Sequence, residues 1–173
     1  MIIAETCRQV LKDAGVNPDR MALEWASAAE APRFVELITG YVSDIKSMGP
    51  LGTADSESEE DVIRMHLKAG IKAASARKVR TALGKLAKDI KKSDDYSPQV
   101  ISKGVAKKVL PSFRKERLTQ EIQLFLAEQG PCQSADLCEK TGGGNKEIEK
   151  ILETLSKKKM LKKKGANCYG IGN

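Results

Sequence analysis

Aromatic residues are scarce in this chain: one Trp, three Tyr and three Phe make up 4% of its 173 residues. Because apolar residues reach an ordinary 40%, we expect a core built from Leu, Ile, Val, Ala and Met. No apolar run approaches the length of about 18 residues that a membrane-spanning helix needs. The first residues, MIIAETCRQVLKD, place no basic segment ahead of an apolar one, so we expect no secretory signal and a cytoplasmic protein.

Residues that commonly carry catalysis are also few. The single histidine, His66, has no second histidine or carboxylate cluster near it, and is interpreted as a surface or boundary residue of a helix. The glycines at 142–144 lack the Gly-Lys-Ser/Thr ending and the preceding strand of a phosphate-binding loop, so they are interpreted as a turn. With no Ser-His-Asp set and no paired acids, we expect no catalysis by this chain alone.

The four cysteines are scattered, without a C-x-x-C pair, which favours a reduced cytosol over a disulfide framework. Cys7 lies on the apolar face of a helix predicted over residues 2–14 and is interpreted as a small buried hydrophobe. Cys132, Cys138 and Cys168 are candidate metal ligands because they fall in one C-terminal region. Their spacing matches no common zinc or iron–sulfur motif, so core or surface thiols are the favoured alternative.

Charge divides the chain into two parts. Residues 1–60 contain 5 basic and 11 acidic side chains, whereas residues 61–173 contain 25 basic and 12 acidic ones. Such asymmetry indicates two parts with different partners. The basic part is expected to attract either an acidic protein subunit or nucleic acid.

Residues 13–50 form the most informative segment. Apolar and polar side chains alternate over residues 21–27, which predicts a strand. An amphipathic helix is predicted to begin near Pro32 and to end at Gly49-Pro50, with Phe34 and Tyr41 in its apolar stripe. A strand and one helix cannot bury each other's apolar faces, so we expect either the middle helices or a partner subunit to cover them.

The same segment resembles the methyl-viologen-reducing hydrogenase delta subunit family. The resemblance is carried by residues 15–20 (GVNPDR), residues 23–30 (LEWASAAE) and Phe34. It implies a component of a hydrogenase or heterodisulfide-reductase electron-transfer complex, as found in an anaerobe, with hydrogenase or heterodisulfide-reductase subunits as partners. In such a complex Trp25, Phe34 and Tyr41 are the expected docking residues.

The resemblance also implies an iron–sulfur cluster, which family members hold with cysteines of an N-terminal α/β half. This sequence begins after that half, and only Cys7 lies in the matching region. One thiolate cannot hold a cluster that needs four ligands, so we expect no cofactor in this chain. Any cluster or flavin would belong to partners, and the chain would be at most one component of an oxidoreductase complex.

The middle of the chain is predicted to be helical. Residues 51–60 are small, polar and acidic and are predicted to form a linker. Residues 61–111 are expected to form basic amphipathic helices, the last of them ended by Pro111. Their charged face is either solvated or a docking surface for an acidic partner.

The C-terminal region, residues 116–173, has its own pattern. Helical periodicity followed by two short strands, at 160–163 and 168–171, indicates a winged-helix-like domain. The third helix of this region would bury Ile148, Ile151, Leu152 and Leu155. The alternative function is therefore a winged-helix transcriptional regulator that binds nucleic acid. Its candidate phosphate-binding residues are Lys157, Lys158, Lys159, Lys162, Lys163 and Lys164.

Together these patterns predict a mainly α (α+β) protein. Its predicted parts are a delta-subunit-like α/β fragment with a helix–strand–helix order (1–50), an acidic linker (51–60), a basic helical region (61–111) and a winged-helix-like domain (116–173). The leading hypothesis is a non-catalytic or accessory component that docks to redox partners.

Overall fold

The computed structural model describes residues 1–27, 29–165 and 167–172. Helices dominate, and a small antiparallel sheet lies near the C-terminus, which confirms the mainly α (α+β) fold class. The helices are α1 (Ile2–Asp13), α2 (Ala31–Met48), α3 (Glu60–Ala74), α4 (Arg77–Ser93), α5 (Pro98–Gly104), α6 (Leu110–Gln129), α7 (Ser134–Thr141) and α8 (Asn145–Lys157). The strands are β1 (Cys132–Gln133), β2 (Leu161–Gly165) and β3 (Cys168–Ile171), in the sheet order β1-β3-β2.

The strand predicted at residues 21–27 is wrong. This segment follows a 3₁₀ turn at Pro18–Arg20 and begins with extended backbone at Met21 (φ −126°, ψ 114°), but it pairs with no strand among the described residues. A strand needs a neighbour to complete its hydrogen-bond ladder. Side-chain alternation indicates the local shape of the backbone, which is extended at Met21. It does not indicate whether a second strand lies alongside, and none does among the described residues.

The central core is built by the apolar stripes of several helices. Each stripe recurs every three to four residues, so it faces one side of its helix. Helix α1 adds Ile2 and Val10 at the edge of this core, whereas Cys7 is exposed, so its predicted burial is wrong. The buried members are Ala73, Val79, Leu86, Ile90, Ile101, Val105, Val109, Leu110 and Phe113.

Pro111 begins a helix rather than ending one, so the predicted stop is wrong. Helix α5 runs into a π-helical turn at Val105–Val109, and α6 starts directly after it with Pro111 in its first turn. A proline within continuous helix has no N–H to bond the preceding turn, and the π-helical turn just before Pro111 is where the hydrogen-bond pattern changes. The chain therefore stays helical from Pro98 to Gln129.

Helix α6 connects the central core with a second core near the C-terminus. Its first turns bury Leu110 and Phe113 in the central core, and its later turns bury Leu118, Ile122 and Leu126 in the second one. The stripe predicted for the third C-terminal helix is confirmed, because all four residues are buried there. The loop between the two predicted short strands includes Ala166, which lies outside the described residues. No helix in the described ranges is long and apolar enough to cross a membrane.

Candidate functional site

Helix α2 and the segment before it both carry exposed apolar side chains, and we call this set of side chains the apolar surface. No residue of α2 is buried, although the helix has a continuous apolar stripe. Large exposed apolar side chains in this number favour an interaction site. The exposed fractions of the residues that define this apolar surface are Leu23 44%, Trp25 71%, Phe34 56%, Val35 61%, Ile38 46% and Val42 43%.

The three predicted docking residues lie in or beside this surface. Trp25 and Phe34 belong to it directly, whereas Tyr41, seven residues after Phe34 on α2, is partly buried. The Tyr41 hydroxyl donates a hydrogen bond to the Arg20 carbonyl oxygen over 2.5 Å. Tyr41 therefore attaches α2 to the 3₁₀ turn, and the two exposed aromatic rings remain accessible.

Arg20 attaches the other end of α2 to the rest of the chain. Its guanidinium donates to the carbonyl oxygens of Gly49 and Pro50, each over 3.0 Å, at the point where α2 has ended. It also donates two hydrogen bonds to the carboxylate of Glu57, with Nε 2.6 Å from Oε1 and Nη2 2.9 Å from Oε2. Arg20 therefore links the end of α2 to Glu57, and together with the Tyr41 hydrogen bond it positions α2.

Glu57 lies in the stretch predicted as an acidic linker, and its side chain has no exposed surface. Besides Arg20, its oxygens accept the backbone N–H groups of Asn17 and Gly52, each over 3.0 Å. The hydrogen bond from Arg20, supported by these backbone donors, lowers the pKa of Glu57 to about 2. The linker stretch is thus hydrogen-bonded to the N-terminal unit.

Replacing Glu57 by Gln is expected to lower the free energy of unfolding by about 2 kcal/mol at pH 7, because charge-assisted hydrogen bonds contribute about 1.5–3 kcal/mol. Since folding lowers the pKa of Glu57, its contribution is complete above its ordinary value of 4.5 and is lost as the pH falls toward about 2. Urea unfolding between pH 7 and pH 2.5 measures both effects. Asp55→Asn removes the same charge from an exposed neighbour and is the control; an equal loss in both variants would contradict the assignment.

A buried charged cluster lies beneath α1, and the sequence did not reveal it. Arg117 is paired with the carboxylates of Glu121 and Asp13, and His66 Nε2 lies 3.8 Å from Glu121 Oε1. Burial raises the pKa of Glu121; burial, followed by the Arg117 charge, lowers the pKa of His66. The only local signal was the four-residue spacing of Arg117 and Glu121 on one helix, which is common on solvated faces as well.

An apolar cavity of about 330 Å³ lies beside this cluster, between α1, α3, α4 and α6. Its lining is mainly aliphatic, and Phe113, Thr6 and Cys7 contribute to it as well. His66 and Arg117 of the buried cluster also line it, and the Arg117 charge is paired with two carboxylates. The cavity is thus a mainly apolar space with its polar side chains drawn largely from the cluster beside it.

The C-terminal cysteines are partly brought together. Cys132 on β1 and Cys168 on β3 lie on paired strands, one residue apart in register, and Cys138 lies on α7. Burial raises the pKa of the Cys132 thiol, which disfavours the thiolate that metals bind. Among the described residues there is no group of three or more His, Cys, Asp or Glu side chains placed to hold a metal ion.

The six candidate lysines form a cationic ridge. They lie at the end of α8, in the turn after it and on β2, and all six are exposed. The outer side of α8 mixes charges, with Lys146 and Lys150 beside Glu147 and Glu153. We call the six residues the lysine ridge; they are Lys157, Lys158, Lys159, Lys162, Lys163 and Lys164.

Comparison with known proteins identifies the class to which the N-terminal segment is similar. Residues 2–49, the segment that carries the apolar surface, match the family model of the methyl-viologen-reducing hydrogenase, delta subunit. This match confirms the resemblance predicted from the sequence, over less than a third of the chain.

Individual relatives match over short stretches as well. One component of the ferredoxin:CoB-CoM heterodisulfide reductase of Methanosarcina mazei is 35% identical over 49 residues, which is 28% of this chain and 6% of that protein. The iron–sulfur component of an F420-non-reducing hydrogenase of Archaeoglobus profundus is 36% identical over 42 residues, or 24% of this chain and 31% of that protein. The chain thus spans less than a third of each of these relatives, and no solved structure matches it.

The residues in the matching segment do not fit an iron–sulfur cluster. Cys7 is the one cysteine within residues 2–49, and it lies exposed on α1. A cluster needs about four protein ligands, usually thiolates. The matching segment therefore has too few thiolates to hold a cluster by itself.

Proposed function

We propose that this chain is a non-catalytic or accessory component of a hydrogenase or heterodisulfide-reductase electron-transfer complex, and that it docks to a redox subunit through the apolar surface. The observation that carries the proposal is the exposure of Trp25 and Phe34, at 71% and 56%, inside the segment that matches the family. Buried aromatic anchors dominate the energetics of protein interfaces. Relatives whose names describe components of such complexes support the class of partner.

Docking is tested with the variant Trp25→Ala/Phe34→Ala. Each anchor is expected to contribute at least about 2 kcal/mol to binding, so removing both should weaken capture of the redox subunits by about 1,000-fold. Stability should change little, because both side chains are exposed in the free chain. The measurement is affinity isolation from native cells, followed by titration of the purified redox complex with the tagged chain.

The control variant is Ile71→Ala, which removes an equally exposed apolar side chain outside the apolar surface, 73% exposed on α3. Trp25 is the only tryptophan, so its fluorescence emission reports this surface alone. Docking predicts a shift to shorter wavelength as the complex forms. Recovery without any redox subunit, or capture that is insensitive to the double variant, would overturn the proposal.

A second function rests on the C-terminal unit, which we propose is a winged helix that binds nucleic acid. Its order of elements, helix–strand–helix–helix–strand–strand with the sheet order β1-β3-β2, is typical of that fold. The lysine ridge supplies charge for phosphates, whereas α8 has no arginine to read guanine and carries Glu147 and Glu153 on its outer side. Binding by this unit is therefore expected to be independent of base sequence.

A further inference from the structure

We infer that residues 22–26 receive a β-strand of the partner subunit, so that the complex is held by backbone hydrogen bonds as well as by the apolar surface. This inference rests on the proposed docking function and specifies how the partner is recognised. Addition of a strand to an exposed edge is a recurrent mode of protein recognition. Three features of the segment carry the argument: its free backbone, its fixed position and its charge.

The backbone of residues 22–26 belongs to no helix or strand, and the alternation of Met21, Leu23 and Trp25 along one groove indicates an extended course. At one end Met21 donates its N–H to the Pro18 carbonyl oxygen over 3.2 Å, and at the other Ser27 donates its N–H to Glu30 Oε2 over 2.8 Å. Between these two turns, no backbone group of residues 22–26 bonds to another residue in the part of the chain that the structure describes. Neither Gly nor Pro interrupts the segment, so every residue offers both a donor and an acceptor.

The segment is positioned at its two ends by the turns and along one face by a groove. Met21, Leu23 and Trp25 alternate on that face and line a groove of about 310 Å³ together with residues of α1 and α5, although Leu23 and Trp25 stay 44% and 71% exposed. The alternate positions are Ala22, Glu24 and Ala26, all exposed. A segment tied at both ends loses less conformational freedom than a free chain when a partner strand adds to it.

The chemistry of the edge identifies its occupant as a strand. Alternating N–H and C=O groups are matched only by another extended chain lying about 4.8 Å away, whereas the backbone groups of a helix are already bonded within the helix. A second copy of this chain is disfavoured. If two copies paired antiparallel about the centre of the segment, or parallel in register, Glu24 of one copy would lie next to Glu24 of the other. Adjacent like charges destabilise a sheet. The occupant is therefore a strand of a different subunit, with a basic side chain facing Glu24.

Residue-resolved hydrogen–deuterium exchange tests this inference. The full chain is compared alone and with the hydrogenase or heterodisulfide-reductase complex purified from the same cells. A single added strand bonds only one edge, so amide exchange within residues 22–26 should slow about tenfold or more at every second residue. Protection without this alternation, or no protection while Trp25 fluorescence still reports docking, overturns strand addition and leaves docking intact.

Proline substitutions provide the second readout. Ala22→Pro and Leu23→Pro remove N–H groups on opposite edges of the segment, and Leu23→Ala controls for the lost side chain. The proline that removes an N–H on the protected edge is expected to weaken binding about tenfold or more relative to its control. The proline on the opposite edge is expected to change binding less than about threefold. Equal effects of the two prolines overturn strand addition. If the unaltered chain binds no redox complex, the docking function itself fails. Failure of docking and failure of strand addition are therefore distinguishable.

Discussion

Replacing Arg117 by Ala is expected to lower the free energy of unfolding by about 3–5 kcal/mol, because it leaves buried carboxylate charge without its cation. Glu121, whose side chain has no exposed surface, loses its Arg117 partner entirely. Asp13 keeps Arg114, whose Nε lies 2.5 Å from Oδ1. The loss therefore falls mainly on Glu121, and denaturant unfolding at pH 7 measures it.

Two further variants separate the buried charge from lost packing. Arg114→Ala removes a guanidinium that is 57% exposed, so it should cost no more than about 1 kcal/mol. The double variant Arg117→Met/Glu121→Leu removes the ion pair while keeping similar volume, and is expected to recover most of the stability lost with Arg117→Ala. A loss below about 1 kcal/mol for Arg117→Ala, or no recovery in the double variant, would contradict the assigned role.

Replacing all six lysines of the ridge by Gln is expected to reduce affinity for duplex DNA about 1,000-fold at 50 mM salt. Each lysine that neutralises a phosphate contributes about 0.9 to the slope of log affinity against log salt. Six such contacts predict a slope near −5 for the unaltered chain and a slope near zero for the variant. Fluorescence anisotropy with a labelled duplex, repeated from about 50 to 200 mM salt, measures both quantities.

The matched control removes six exposed basic residues from α4 instead: Arg77, Arg80, Lys85, Lys88, Lys91 and Lys92. The two variants lose the same net charge, so a local interface predicts a much smaller effect for the α4 variant. Equal losses would indicate attraction to the whole basic surface and contradict a lysine ridge interface. Affinity that is unmeasurable at about 50 mM salt in the unaltered chain would remove the nucleic-acid function altogether.

Helical periodicity accounts for most of what was predictable about the fold. The stripe from Ile148 to Leu155 is buried as predicted, because an amphipathic helix has one apolar face to bury and the period identifies it. Cys7 is the counterexample: its position on the apolar side of α1 predicted burial, yet it is exposed. Periodicity identifies the side of a helix that is apolar, and only packing decides how much of that side another element covers.

The candidate docking residues could be predicted from the sequence, but the contacts that position them could not. Trp25 and Phe34 were selected because a strand and a helix cannot form a core alone, and both rings are exposed in the structure. The Arg20–Glu57 attachment could not be predicted. It joins residues far apart in sequence, and Glu57 sits among acidic neighbours that all look equally solvated.

By itself the sequence determined the helical class, the charge asymmetry and the resemblance of the N-terminal segment, since composition, period and local motifs depend only on neighbouring residues. Tertiary structure alone decided that residues 21–27 pair with no strand among the described residues, that Pro111 begins a helix, and that Asp13, His66, Arg117 and Glu121 meet below α1. Each of these outcomes depends on what lies alongside a segment in space. A strand requires a neighbour and a buried charge requires a counter-charge, and both come from residues distant in the chain.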